Sequence, residues 1–205
     1  MKENKDFDRC VEFHGHACPG LAIGFKAAWI LMDRLGSQKA EDEELLAILE
    51  SNACGADAIQ VVTGCTFGKG NLIFKDYGKN AYSLASRKTG KTFRVCILLD
   101  VFSPNSEHLA LFAKVQNDAA SPEEIAQFRA IQKGRIRQIL DASPETLFKI
   151  EEILGEIPEK AKVIQSVTCD SCQEPFRADF VHNVGGRKLC LACTDQDDGR
   201  SISRS

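Results

Sequence analysis

The sequence has no long apolar run. Nothing in its 205 residues approaches the roughly 18–20 consecutive apolar positions of a membrane-spanning helix, so no membrane association is expected. It also lacks an excess of either charge: 26 Lys+Arg stand against 29 Asp+Glu, a formal net charge of −3. That balance argues against a strongly basic surface coating nucleic acid, and against disorder over most of the chain. The start, Met1-Lys2-Glu3-Asn4-Lys5-Asp6, is charged with no apolar stretch behind it, unlike a secretory signal peptide. A cytoplasmic, reducing location is the expectation. No internal repeat is visible, and 43% apolar residues suffice for a proper core.

Cysteine is what the chain does have. Nine is odd, and falls short of the roughly 8–10% of a small disulfide scaffold. In a reducing compartment such cysteines more often bind metal or react than form bridges. Cys10, Cys18, Cys54, Cys65 and Cys96 lie in the first hundred residues, and the other four lie between Cys169 and Cys193.

Periodicity predicts an α+β core domain over residues 1–157, with a sheet packed against helices. A short segment from Phe7 to Phe13 leads into His14-Gly15-His16-Ala17-Cys18-Pro19-Gly20, and a largely buried helix runs from Pro19 to about Leu35. Pro19 suits its first position and Gly36 its stop. Strands are read at Leu45–Leu49, Leu72–Phe74, Ala81–Ser86 and Thr92–Asp100, the last two joined by a turn at Arg87–Lys91. A short helix is read at Ala56–Thr63, and three more near Glu107–Asn117, Pro122–Asp141 and Pro144–Leu154. His108 and His182 read as incidental, and Arg129, Lys133, Arg135 and Arg137 as solvated surface. Gly155–Lys162 is the linker candidate, a small module occupies 163–195, and the polar end 196–205 is expected to be disordered.

The C-terminal cysteines carry a specific signal. Cys169-x2-Cys172, seventeen intervening residues and Cys190-x2-Cys193 form two knuckles, each gripping one ion with two thiolates. Together they complete the four-thiolate shell of a structural Zn2+. Some thirty residues build little core, so the metal supplies much of the stability. Gly185-Gly186 marks a hairpin turn between the knuckles. Three acids (Asp170, Glu174, Asp179) balance three bases (Arg177, Arg187, Lys188), so a treble-clef or ribbon finger used for packing or protein contact is favoured over nucleic-acid binding.

At the other end, His14, His16 and Cys18 alternate, which in an extended segment puts all three on one side. Cys18 caps the following helix, whose positive end favours a thiolate. Cys54 lies just before a helix, with Asn52 and Asp57 nearby, and Cys65 lies in the glycine-rich loop just after it. This cluster is a candidate second metal site. A thiol enzyme with Cys18 as nucleophile and His16 as base is an alternative. Cys10 and Cys96 read as core thiols, and Gly68-Lys69-Gly70-Asn71 as an ordinary turn.

Phe13-His14-Gly15-His16-Ala17-Cys18-Pro19-Gly20 resembles the signature of the FmdE family, which takes its name from an accessory component of formylmethanofuran dehydrogenase. So do the segments Cys54–Thr66, Gly68–Leu72 and Tyr77-Gly78-Lys79, and the C-terminal cysteines resemble a zinc finger appended in some members. The resemblance implies an α+β core that pairs into an intertwined homodimer. It also implies an accessory role beside a tungsten or molybdenum enzyme that interconverts carbon dioxide and formylmethanofuran at the start of methanogenesis. The other components of that dehydrogenase complex would be partners and would hold its metal-pterin centre, so whether this chain is itself an enzyme stays open. By resemblance, His16, Cys18, Cys54 and Cys65 form the candidate site. The competing reading is a zinc-finger adaptor or regulator that binds protein or nucleic acid.

Overall fold

A helix that is apolar around most of its circumference must be covered on most of it. The computed structural model, which describes residues 2–98, 106–160 and 164–194, places such a helix, Pro19–Leu35 (α2), at the centre of the core. Leu21, Phe25, Ala28 and Leu31 are buried along it. Both of its ends fall where the sequence puts them, with Pro19 in the first turn and Gly36 at φ 58 closing it. The chain divides into two compact units, Met1–Lys160 and Ala161–Ser205.

In the first unit, Lys2–His14 is a helix (α1) that turns Phe7 and Cys10 into the core. It replaces the short lead-in segment expected there, and places His14 on a helix end rather than on an extended run. After α2 come β1 (Leu45–Leu49), α3 (Gly55–Thr63), β2 (Leu72–Phe74), β3 (Ala81–Ser86) and β4 (Thr92–Ile97). Then follow α4 (Ser106–Gln116), α5 (Pro122–Asp141), α6 (Pro144–Leu147) and β5 (Phe148–Ile153). The five strands form one sheet in the order β2-β1-β3-β4-β5. Only β1–β2 is parallel, with α3 as its crossover, and the other pairs are antiparallel. This is the α+β class read from the sequence.

One element differs in kind. The helix expected over Pro144–Leu154 is helical only to Leu147, and Phe148–Ile153 pairs with β4 from Phe148 opposite Ile97 to Ile153 opposite Thr92. Phe148 and Ile150 point to the core while Lys149 points out, a two-residue period that the short stretch hides among its charges. The strand expected to reach Asp100 ends at Ile97, and Asp100 itself lies outside the described residues.

The two faces of the sheet differ. Leu49, Tyr82, Val95 and Ile150 share a row and join the core, whereas Ser83, Arg94 and Glu151 share the opposite row. There Arg94 donates two hydrogen bonds to Glu50, at 2.6 and 2.9 Å. That grip holds the Glu50 carboxyl below its usual range, so its stabilisation is complete above about pH 4.3 and fades as pH falls through the lowered value. Between α4 and α5, His108 is buried against Phe128 and accepts a hydrogen bond from Arg135 at 2.5 Å. Two residues read as incidental or solvated therefore pack together.

The second unit holds β6 (Ser166–Thr168) paired with β7 (Pro175–Arg177), a 3-10 turn at Ala178–Phe180, β8 (His182–Val184) paired with β9 (Arg187–Leu189), and α7 (Leu191–Thr194). Gly185 and Gly186, at φ 57 and 79, make the predicted hairpin turn. The terminal stretch 196–205 lies outside the described residues. Among the described residues no helix is long and apolar enough to cross a membrane.

Candidate metal centres

In the second unit one knuckle, Cys169–Cys172, sits in the turn between β6 and β7, and the other, Cys190–Cys193, at the start of α7. The four sulfurs lie within 4.8 Å of one another, with Cys172 Sγ 3.9 Å from Cys190 Sγ. Zn–S bonds of about 2.3 Å set tetrahedral sulfur–sulfur edges at roughly 3.8 Å, so the group fits one ion. The backbone agrees. Cys169 Sγ accepts N–H bonds from Cys190 at 3.4 Å and Ser171 at 3.5 Å, and with the Cys190 bond foremost its pKa falls to about 6. Amide donors aimed at a sulfur suit a thiolate ligand. At Cys172 the Glu174 contact pulls down, but burial and the neighbouring thiols prevail and push its pKa to about 12. Four thiols this close cannot all ionise without a cation among them.

The first unit gathers a different set. His14 ends α1, Gly15 at φ 90 reverses the chain, and Cys18 caps α2 by accepting the Leu21 N–H at 3.3 Å. Cys54 sits at the start of α3 and spends no hydrogen bond on capping it. Ligand atoms of His14, Cys18 and Cys54 lie within 4.8 Å of one another. His14 Nε2 is 3.9 Å from Cys18 Sγ, while its Nδ1 is 2.7 Å from Asp57 Oδ2 on the first turn of α3. A carboxylate on Nδ1 fixes the tautomer that turns the Nε2 lone pair toward the sulfurs. Two thiols and an oriented imidazole are a donor set for zinc or a similar soft divalent ion, one ligand short of a closed shell.

Close backbone approach makes this convergence. A Cβ on Gly24 would fall 2.3 Å from Gly55 Cα, and one on Gly55 would fall 2.2 Å from Tyr82 Oη. The helices α2 and α3 therefore touch backbone to backbone, which draws the residues at their N-termini, Cys18 and Cys54, together. Gly20 leaves room beside them, since a Cβ there would stand 3.2 Å from Cys54 Cβ.

Of the residues singled out in the sequence, His14, Cys18 and Cys54 meet. His16 stays exposed, its ring 4.6 Å from that of His14 and outside the group. Cys65 is fully buried in the core, its thiol pushed up by burial, and it does not join them. Cys10 is a core thiol as read, whereas Cys96 is only half-buried. The helix end does not favour a Cys18 thiolate as expected. Burial, reinforced by Cys54, outweighs the Leu21 and Gly20 amides and raises its pKa to about 11. An unaided nucleophile needs the opposite. Asp57, read only as a neighbour of Cys54, is the residue whose role the sequence did not show, although it lies three positions after Cys54 in the first turn of α3. Beside the centre runs a groove of about 390 Å3, lined by His14, Asn52, Cys54, Asp57, Phe67 and Phe74 among others, with Phe67 80% exposed.

Residues 13–149 match the family described as FmdE, Molybdenum formylmethanofuran dehydrogenase operon. A probable S-adenosyl-L-methionine-binding protein of Archaeoglobus fulgidus is 33% identical over 195 residues, covering 90% of this chain and 51% of that protein. The chain thus spans about half the length of this curated relative. A crystal structure of a tungsten formylmethanofuran dehydrogenase FmdE-like protein from Syntrophus aciditrophicus superposes with a TM-score of 0.62 at 25% identity, covering 94% of this chain and 92% of that one.

Proposed function

The chain belongs to the FmdE family, and on that footing we propose that it is a homodimeric accessory protein of a formylmethanofuran dehydrogenase-like system in one-carbon metabolism. His14, Cys18 and Cys54 hold a divalent metal in its core, and Cys169, Cys172, Cys190 and Cys193 hold a structural Zn2+. The observation that carries the core reading is the meeting of three donor atoms within 4.8 Å, one of them an imidazole oriented by Asp57. Bound there, the metal supplies Lewis acidity at its free position. The protein's own part is to orient His14, to hold two sulfurs in a half-buried place, and to keep the groove open beside them. The finger, with balanced charge, serves packing or protein contact.

Metal content per chain tests this. The full protein is expected to hold two metals and Cys18→Ser one, with its mass in solution still that of a dimer. Equal metal content in both would remove the core centre, and a monomeric mass would remove the dimer.

A second reading is supported by the groove beside Cys54. Its size suits a nucleoside-sized ligand, with Phe67 and Phe74 to stack and Asp57 and Asn52 to accept and donate. The Archaeoglobus relative's name makes S-adenosyl-L-methionine the ligand to try. Saturable binding in equilibrium dialysis, lost in Phe67→Ala, would favour this reading over the metal alone.

A further inference from the structure

Two more cavities line up with the core centre. One, of about 360 Å3, is walled by Arg9, Trp29, Met32, Lys39, Val61 and Val62 among others. The next, of about 460 Å3, shares Arg9, Lys39 and Val61 with it and adds Phe13 and Gln60. Gln60 also lines the groove that holds His14, Cys54 and Asp57. The first two share a wall of three residues, and the second meets the metal-centre groove at Gln60, so the three follow one another along α1 and α3 as a trough.

Its chemistry is that of an anion site with an apolar lining. Arg9 and Lys39 bring cations to the middle, with Trp29, Met32 and Val62 apolar on one side of them and Phe13 and Val61 apolar on the side of Gln60. Behind them Lys69 donates to the carbonyls of Ala40 and Glu41, at 3.3 Å each. Burial first, then the charges of Arg9 and Lys69, lower the pKa of Lys39. Asp6 opposes that shift and meets Arg9 at 3.6 Å, and Glu12 lines the same wall, so Lys39 is the cation of the lining left for a ligand. The indole Nε1–H of Trp29 is buried with no hydrogen-bond partner among the described residues. Arg9 precedes His14 by five residues of α1, roughly 8 Å along the axis.

We infer that the trough binds an elongated organic anion, its carboxylate or phosphate between Arg9 and Lys39 and its apolar chain running past Gln60 toward His14, Cys18 and Cys54. The anion end stands on the trough alone, while the far end rests on the metal-centre reading. Trp29 is the only tryptophan in the chain, so its emission reports on the site. Titrating the full protein with hexanoate, hexyl phosphate and neutral hexanamide should give saturable shifts with the anions, the tighter one naming the head group. Hexanamide should bind about tenfold more weakly or worse, since it forgoes the charge-assisted bonds. Arg9→Gln and Lys39→Gln, both exposed positions whose fold is checked by thermal midpoint, should each weaken the anions by a similar factor. Equal binding of amide and anions, or unchanged binding in both variants, would overturn the inference. Cys18→Ser should keep hexanoate binding while losing the core metal, which separates failure of the metal centre from failure of the trough. In the metal-loaded protein, 6-mercaptohexanoate should outbind hexanoate only while Cys18 is present. No such advantage would overturn the direction assigned to the chain.

Discussion

The two cysteine-rich centres are built in opposite ways. In the second unit the four ligands fall within one short stretch of chain, on two small hairpins and a single turn of helix whose buried residues are few. In the first unit the ligands come from the ends of three helices, α1, α2 and α3, that are already fixed by a packed core. One centre makes its fold, and the other is made by its fold. Metal loss should therefore unfold the second unit and leave the first standing.

The largest expected effect tests that contrast directly. Chelation, or Cys169→Ser, should collapse the amide dispersion of residues 164–194 while leaving the signals of the first unit in place. The free energy at stake is on the order of 10 kcal/mol, the scale of structural zinc in small modules. Retained dispersion in the metal-free second unit would erase the distinction. Next in size is Gly24→Ala, whose new Cβ would fall 2.3 Å from Gly55 Cα. Overpacking of this sort costs about 1–3 kcal/mol, and here the strain bears on the contact that joins Cys18 to Cys54. A lowered midpoint with loss of the core metal but not the C-terminal one is expected. An unchanged core metal would mean that the helix crossing does not set the site. Smaller again is Asp57→Asn, which keeps the shape but weakens the hold on His14 Nδ1. Core-metal affinity should fall about 10–100-fold with no change in stability, read by competition with a chromophoric chelator.

The same contrast explains what could be read from the sequence. Cys169-x2-Cys172 and Cys190-x2-Cys193 are legible because their geometry is local, as are Pro19 and Gly36 at the ends of α2. The core centre depends on contacts between distant segments, which spacing alone does not encode. Alternation puts His14, His16 and Cys18 on one side, but α1 runs on to His14 and the chain turns at Gly15, so of the two imidazoles only that of His14 joins Cys18. Gly24 and Gly55 carry no signal of their own until α2 is laid against α3. Phe148–Ile153 was hidden for a related reason. Pro144 starts a helix convincingly, and only the open edge of β4 turns the next residues into a strand.

Cys65 gives the comparison its finest test, because it lies on the family-like motif yet stands apart in space from Cys18 and Cys54. Its side chain is fully buried, and burial raises its thiol pKa, the marks of a cysteine that serves as a small apolar side chain. Its backbone N–H is taken by Thr63 Oγ1 at 3.1 Å, and Asn71 pins the same loop by accepting the Thr66 N–H at 2.9 Å. The loop is thus held without the sulfur. Cys65→Ala should cost about 1 kcal/mol of stability through the small cavity left behind, and leave two metals per chain. Cys54→Ala, at a half-buried position, should cost no more stability and yet remove the core metal. If Cys65→Ala removed that metal with the fold intact, the centre would need a fourth donor reached by movement of this loop, and it would no longer be a site completed by helix packing alone.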